Sequence, residues 1–498
     1  MVSKSMNKKA VVVKAGASDG RLPVATAKGG LSAFEALANR IGLWSDCRAT
    51  LPARRDPSQG FQVVPVVASL AHGLLSGGRG FSATEPMRDD APLLSIIGVE
   101  RAPSAETVEE VMKYHGAKEQ SLAAYVDVLS RQTISLMNME KRSDLLCQDG
   151  FVRFWVDGTL LETEGKNKDA LLYIKKQWGQ MAVAAFVGGY IVGCEMAKEK
   201  KEDSVQSNGE KKKDKGAKKK PVAMNEPEEE KKTIKAELEI GRGLLARGAR
   251  VLAKTNLLGA ALVLLDSLYG DGPTLSILEG AEFEGARYIV GANKLDAVEK
   301  TLRDQPESAW KDSTENTKNF GWEQSSVCQC WIQCEGWATK RLLIGRRYKK
   351  KGEFIHNYSG VITNISVTDE RIVKKMEREK VCFEEALFRL YNTKQGMENQ
   401  WKALLTDMGL HRMPCARAQV NEIFLCVAAM ANNLAEGVRR LLLEKEGRSI
   451  ALWRLRRDLI DLPATVARHA RQVIVRVLDA RQRLVDQWRR ALMRLEAI

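Results

Sequence analysis

Three acids, Asp157, Asp266 and Glu398, stand where the chain can hold a carboxylate in place. Asp157 closes the β-rich run Phe151-Val152-Arg153-Phe154-Trp155-Val156 and is followed by Gly-Thr. Asp266 ends the hydrophobic run Ala260 to Leu265, and Glu398 lies in a 3.6-period stretch from about Val381 to Leu405. Carboxylates at the ends of adjoining strands can converge with one from a packed helix. Three converging acids offer the hard oxygen ligands that Mg²⁺ takes. Two such ions roughly 3.5–4 Å apart activate a water or a 3′-hydroxyl and stabilise the departing oxygen of a phosphodiester. Taken singly, the aspartates also suit strand-end turns beside glycine, and Glu398 with Lys402 suits a surface i,i+4 pair. Asp271 is the nearest rival to Asp266, but it lies beyond the strand among Gly270, Gly272 and Pro273.

The elements that would position these acids follow a mixed α/β order. Residues 1 to about 25 read as a flexible basic arm, and Gly30 to about Leu145 as helical, with Ser32, Thr84 and Ser104 as candidate N-caps and Gly42 as a terminator. The texture turns β-rich at Gly150. Met181 to Cys194 is apolar but too short to span a bilayer, and reads as two buried strands turning at Gly188-Gly189. Residues 198–232 are Lys/Glu-rich without an aromatic residue and read as a disordered insertion. A helix from about Thr233 to Arg247, the strand ending at Asp266 and another at Ala286 to Val290 come next. Residues 325 to 366 alternate as an antiparallel β-insertion would, and the 3.6 period returns to Leu443.

A length of 498 residues with 44% hydrophobic and 28% charged residues excludes collagen-like, wholly disordered and disulfide-scaffold chains. Lys and Arg number 78 against 63 Asp and Glu, a net charge of +15 that points to a polyanionic partner, nucleic acid before membrane. Nine cysteines fit a reducing compartment with free thiols. Cys328, Cys330 and Cys334 sit at even spacings in a β-like run, without a partner pair at zinc-site spacing. The basic N-terminus has too short an apolar run for a secretory leader.

The acids and their neighbours together resemble bacterial insertion-sequence transposases of the DDE type. The matching stretches are Phe-Trp-Val-Asp-Gly-Thr around Asp157, Leu-Leu-Asp-Ser-Leu-Tyr-Gly-Asp-Gly-Pro around Asp266, and Tyr391-Asn-Thr-Lys-Gln-Gly-Met-Glu398-Asn. Asn421, Ala431-Asn432-Asn433-Leu434, the Gly30-Leu31-Ser32-Ala33-Phe34 segment and the tail from Asp461-Leu-Pro to Arg476 also match, so the resemblance runs from about residue 29 to the C-terminus. It implies a ribonuclease-H-like catalytic core over 148–435 with a β-insertion at 318–370, an α-helical region with its basic arm over 1–147, and a helical Arg-rich extension over 436–498. It further implies a DNA transposase in which Asp157, Asp266 and Glu398 hold two Mg²⁺, or Mn²⁺ in their place, while Tyr391, Lys394 and Lys402 position phosphate. The partners implied are double-stranded terminal inverted repeats and target DNA, bound by a homodimer in the cytoplasm at the nucleoid.

The family's glutamate motif carries Arg at the position of Lys394 and Lys at that of Leu405. On one continuous helix Tyr391, Lys394, Glu398, Lys402 and Leu405 fall on one stripe, so Lys402 can supply the missing cation one turn earlier. Lys394 keeps a charge but lacks the bidentate fork. These departures support, as an alternative, a catalytically decayed relative that only binds DNA. A remoter alternative is a haloacid-dehalogenase-like phosphatase, suggested by Asp157-Gly-Thr-Leu; that chemistry needs a nucleophilic Asp two residues earlier, where Trp155 stands. The five histidines show no paired spacing, and Gly241-Arg242-Gly243 lacks the Lys-Ser/Thr of a P-loop. In the tail Arg468, Arg471 and Arg476 are candidates for DNA contact, equally suited to the solvated face of a packed helix. Trp331 and Trp337 can stack a displaced base or pack in the sheet.

Overall fold

A computed structural model describes residues 11–13, 25–53, 60–141, 147, 149–162, 172–174, 177–197, 226–292, 296–314, 321–335, 337–443, 450–469, 472–478 and 482–497. Helices α1 (Leu31–Arg40), α2 (Leu43–Thr50), α3 (Val63–Leu75), α4 (Ala91–Ile96), α5 (Ala105–Gly116) and α6 (Glu119–Lys141) make up the N-terminal region. Ser104 caps α5 by accepting from the Thr107 amide, and Gly42 takes the left-handed conformation that separates α1 from α2. The other two caps fall elsewhere. Ser32 lies inside α1 and donates to the Gly29 carbonyl, while Thr84 sits within a 3₁₀ segment, Gly80–Met87.

Strands β3 (Val152–Glu162), β4 (Leu172–Ile174), β5 (Gln177–Val187) and β6 (Tyr190–Met196) form an antiparallel group, with β5–β6 turning at Gly188-Gly189 as the sequence predicts. Helix α7 (Glu226–Lys254) then crosses to β7 (Ala261–Leu265), which pairs parallel to β3, and past α8 (Gly272–Leu278) comes β8 (Arg287–Gly291), parallel to β7. The order β6-β5-β3-β7-β8 is that of a ribonuclease-H-like core. After α9 (Asp296–Arg303), strands β9 (Lys311–Asp312), β10 (Trp322–Ile332), β11 (Arg341–Lys350) and β12 (Asn357–Thr363) add the antiparallel insertion, which β12 joins to β8 in one ten-stranded sheet. Cys328 is buried on β10 and Cys330 half-buried on the same face, while Cys334 lies beyond the strand. The expected disorder of 198–232 falls outside the described residues as far as 225, but 226–232 form the first turns of α7.

Helices α10 (Glu370–Glu379), α11 (Phe383–Asn392) and α12 (Gln395–Lys402) lead to α13 (Ala418–Gly437), which is buried on nearly all sides. A helix apolar all round must lie inside the protein. Among the described residues no helix is long and apolar enough to cross a membrane. Two buried asparagines of α13 bind the β5–β6 hairpin. Asn433 accepts from the Ile191 amide at 2.8 Å and donates to its carbonyl at 2.9 Å, standing in for a neighbouring strand. Asn421 donates to Gln180 on β5 at 2.8 Å.

The tail differs from the helical expectation. After α14 (Leu452–Leu455), residues Ala464–His469 and Gln472–Val477 form an antiparallel hairpin, β13–β14, before α15 (Gln482–Ala497). Its alternating Val and Ile suit a half-buried strand better than a helix. Two N-terminal strands complete this second sheet: β1 (Val11–Val13) pairs with β14, and β2 (Ala25–Thr26) with β13. Part of the arm expected to be flexible is thus ordered; its other residues up to 24 lie outside the described set.

Candidate active site

Asp157 sits in the middle of β3 rather than at its end. The strand continues to Glu162 against β5, but its parallel pairing with β7 stops at Trp155 and Leu264. Two residues further along both strands, Asp157 and Asp266 stand at one level beside the opening where β7 has ended. Asp266 partly fills the turn role as well, since it accepts from the Ser267 amide at 2.6 Å. Its other carboxylate oxygen lies 3.4 Å from the Lys394 ammonium. Asp271, the rival, is taken by structure: it caps α8 through the Thr274 amide and pairs with Arg242.

Lys394 occupies the break between α11 and α12, and Glu398 lies one turn into α12, exposed to solvent. Burial pushes Asp157 up to about 6, with the charges of Asp266 and Glu398 adding to the rise and that of Lys394 opposing it. The charges of Asp266, Glu398 and Lys394 thus all reach Asp157. Among the described residues no three acid, His or Cys side chains are drawn tightly enough to grip an ion as they stand. The donor set is nevertheless all carboxylate oxygen around one crowded, half-buried Asp157, which suits a hard divalent cation.

Tyr391, on α11, lies over Gly291 at the end of β8, where an added Cβ would come 2.6 Å from its hydroxyl. Burial, with the Asp266 charge, holds that hydroxyl above its ordinary range. Lys402 is exposed at the end of α12. The single stripe expected for 391–405 is interrupted twice. The chain leaves the helix at Thr393-Lys394, where the Thr393 hydroxyl donates to the Leu390 carbonyl, and a π-turn spans Ala403–Asp407. A π-turn widens the helix and shifts its phase, so Leu405 packs half-buried against the core.

The helix bearing Glu398 is fixed to the β5–β6 hairpin. Trp401 meets Phe186 edge-on at 5.7 Å, and Gln400 donates to the Gly189 carbonyl at 3.3 Å. Arg440 holds the same turn by donating to the Gly188 carbonyl, and pairs with buried Glu140 at 2.6 Å. Burial raises Glu140 to about 7, against the pull of Arg440 and the Tyr190 hydroxyl. Two further side chains, given no role by the sequence reading, lie nearby: Tyr269 in the turn after Asp266, within reach of the charges of Asp157 and Asp266, and Glu237 on α7, against Gly158. Tyr269 had a signal in its place three residues beyond Asp266. Glu237 had none that separates it from Glu239.

The remaining candidates lie apart. Arg476 is exposed on β14, Arg471 lies outside the described residues, and Arg468 is on β13 with its side chain undescribed. All three belong to the hairpin region, not to a helix. Trp337 is buried beneath the Arg341 guanidinium, 4.5 Å from its ring. Trp331 is 65% exposed and lines a cavity of about 550 Å³ with Tyr288 and Asn364. That cavity opens where β8 begins, whereas the acids stand where β3 and β7 lead, so neither tryptophan adjoins them. Trp155, at the position a phosphatase nucleophile would need, is buried in the sheet.

Among curated proteins no relative matches the chain. A solved piggyBac transposase synaptic complex with hairpin DNA is similar at a TM-score of 0.37 and 9% identity, over 86% of this chain and 79% of that one. The family model described as transposase DDE domain group 1 matches residues 237–496, just over half of the chain, including Asp266 and Glu398 and leaving Asp157 ahead of it. With that match, the chain belongs to the transposases of DDE domain group 1.

Proposed function

We propose that this transposase cleaves phosphodiester bonds at the ends of its own element by metal-assisted hydrolysis and joins the freed 3′-hydroxyls to target DNA. One observation carries the reading: a half-buried Asp157 raised to about 6 beside Asp266, Glu398 and Lys394. Asp157, Asp266 and Glu398 would hold Mg²⁺ or Mn²⁺. When bound, the ions supply a lowered pKa for the attacking hydroxyl and charge stabilisation for the departing oxygen. The chain's own cations then position phosphate, Lys394 between the acids and Lys402 one turn beyond Glu398. Tyr391 presents a hydroxyl beside Asp266 as a hydrogen-bond partner. No side chain in this group is placed as a nucleophile, so the reaction needs water first and a DNA hydroxyl second. The basic net charge suits duplex DNA, and a homodimer acting on paired ends completes the proposal.

The test is nicking of a plasmid that carries the element's ends. Asp157→Asn and Glu398→Gln should cut the Mg²⁺-dependent rate by orders of magnitude while leaving the fold and end binding in place. The decayed, DNA-binding-only alternative draws on Lys394 and Leu405. A wild-type protein that binds its ends but nicks them with neither Mg²⁺ nor Mn²⁺ would decide for it.

A further inference from the structure

Phe354 and Ile355 stand side by side at 94% and 76% exposure, the most exposed large apolar residues among those described. They lie in residues 351–356, the turn between β11 and β12. Turns in water favour Gly, Pro, Asn, Asp and Ser, and two apolar side chains left in solvent there add no burial to the fold. The same turn is basic. Lys349 and Lys350 close β11 and Lys351 follows, while the one acid of the turn, Glu353, accepts from Asn357 at 2.6 Å. Burial, then the charges of Arg347 and Lys349, hold the His356 ring below its ordinary range. The stem beneath is braced: Tyr348 stacks on Trp322 at 4.5 Å, and Arg347 lies over the Trp310 ring at 4.6 Å while pairing with Glu307.

The sheet register tells where this tip points. Leu265 pairs with Val290, which puts Asp266 level with Gly291. Gly291 pairs with Val361 on β12, and Val361 with Ile344 on β11. Asp157, Asp266, Val361 and Ile344 thus share one level across the sheet, and β11 and β12 run on past it for four residues, to Tyr348 and Asn357. At about 3.3 Å per residue the stem projects roughly 13 Å, displaced from β7 by two to three strand spacings of about 4.8 Å. The tip therefore stands on the acids' side of the sheet, roughly 20 Å from them. A turn of duplex DNA is about 34 Å long, so DNA lying on the acids passes within reach of Phe354.

We propose that the β11–β12 turn is a wedge for duplex DNA: Lys349, Lys350 and Lys351 take up phosphates, and Phe354, with Ile355 beside it, enters between two stacked base pairs and unstacks them. An apolar side chain inserted at a base step kinks the duplex and brings more of it against the protein, at the cost of the stacking lost. The lysines hold the backbone on either side while the braced stem keeps the tip from folding back. The proposal rests on the reading above that places a DNA phosphodiester at the acids.

The test uses the full chain with duplexes carrying an element end, each with 2-aminopurine at a different position within one helical turn of the cleavage point. With wild type the fluorescence should rise several-fold at one step; Phe354→Leu should keep that rise and Phe354→Ser lose it, both with wild-type circular dichroism. A mismatch at that step, already poorly stacked, should tighten wild-type binding about tenfold and leave Phe354→Ser unchanged. Replacing Lys349, Lys350 and Lys351 together by Gln should flatten the slope of log affinity against log salt by about two to three. Bound duplex that brightens at no position, or brightens equally with Phe354→Ser, would overturn the wedge, and an unchanged salt slope would overturn the phosphate role. Sedimentation without DNA should give wild type and Phe354→Ser the same size; a smaller Phe354→Ser would assign the turn to a second copy of the chain and overturn the proposal. A wild-type protein that binds no duplex would overturn the DNA reading itself.

Discussion

Replacing Asp157 by Asn should stabilise the metal-free protein while disarming it. The fold raises this carboxyl from 3.8 to about 6, first through burial and then through the charges of Asp266 and Glu398. A raised acid binds its proton more tightly folded than unfolded, so stability is lost as pH rises between the two values. About two pKa units at 1.36 kcal/mol each give a penalty of roughly 3 kcal/mol. It is absent below about pH 4 and fully present above about pH 6. Asparagine matches the protonated acid in shape and neutrality, so it escapes that penalty. In EDTA at pH 7.5 the variant should therefore gain up to about 3 kcal/mol, or about 1 M in urea midpoint at an m-value of roughly 3 kcal/mol/M. At pH 4 the two proteins should unfold together. Excess Mn²⁺ should close most of the gap at pH 7.5, since an ion at 100 times its dissociation constant adds about 2.7 kcal/mol to the protein that binds it. Tryptophan fluorescence in urea, from pH 4 to 8, reads all of this. A variant no more stable than wild type at pH 7.5, or a difference independent of pH, would refute the crowded-carboxylate argument.

Four further outcomes follow from named contacts. Lys394→Met removes the charge that opposes the rise of Asp157, so it should cost about 1 kcal/mol at pH 7.5 and much less in the Asp157→Asn background, a double-mutant cycle read by urea unfolding. Asn433→Ala strands the Ile191 amide and carbonyl and should cost about 2–3 kcal/mol in the same assay. Arg476→Ala, exposed on β14, should weaken end binding and flatten the slope of log affinity against log salt by about one; an unchanged slope would remove Arg476 from the DNA surface. Leu405→Lys, half-buried on the π-turn, should not raise the nicking rate, and a marked gain would show that Lys402 does not serve the phosphate.

The sequence disclosed the parts of this fold that repeat a period. The β5–β6 hairpin, the strands leading to Asp157 and Asp266, and the antiparallel insertion were legible because alternation and apolar runs report burial directly. The acids were legible as a triple because each follows or lies within such a run. What escaped was set by partners distant in sequence. The tail around Val473 and Val475 reads as helical, and its strand pairing shows only once β1 and β13 lie beside β14. The break at Thr393-Lys394 escaped because neither residue is a helix breaker, and the π-turn because Ala-Leu-Leu-Thr-Asp carries no signal for it. Glu237 and Glu239 are equivalent until Gly158 fixes which side of α7 meets the sheet. The tail also changes what counts as a clean probe: Leu452, Leu455 and Trp488 are fully buried, so deleting the region would remove core along with arginines.

The site depends on two features, the early end of β7 beside β3 and the helix break at Thr393-Lys394. A β7 as long as β3 would have covered the edge beside Asp157, leaving a carboxylate pressed against a neighbouring strand with no space for phosphate or an ion. An unbroken helix from Phe383 to Lys402 would have turned Lys394 and Glu398 by different amounts from those set by the junction at Thr393. The break instead places the Lys394 ammonium 3.4 Å from Asp266 with Glu398 one turn further on. Gln400 and Trp401 then fasten that helix to a hairpin which Arg440 and Asn433 hold from the other side. Such bracing has a purpose when the charges it holds repel: without it, Asp266 and Glu398 would relax away from Asp157, and the part of its raised pKa that comes from their charges, beyond that from burial, would be lost. Loosening the brace, as Gln400→Ala would, should therefore lower the Asp157 pKa partway, leaving the share due to burial, and weaken Mn²⁺ binding with it, because both losses follow from the carboxylates moving apart.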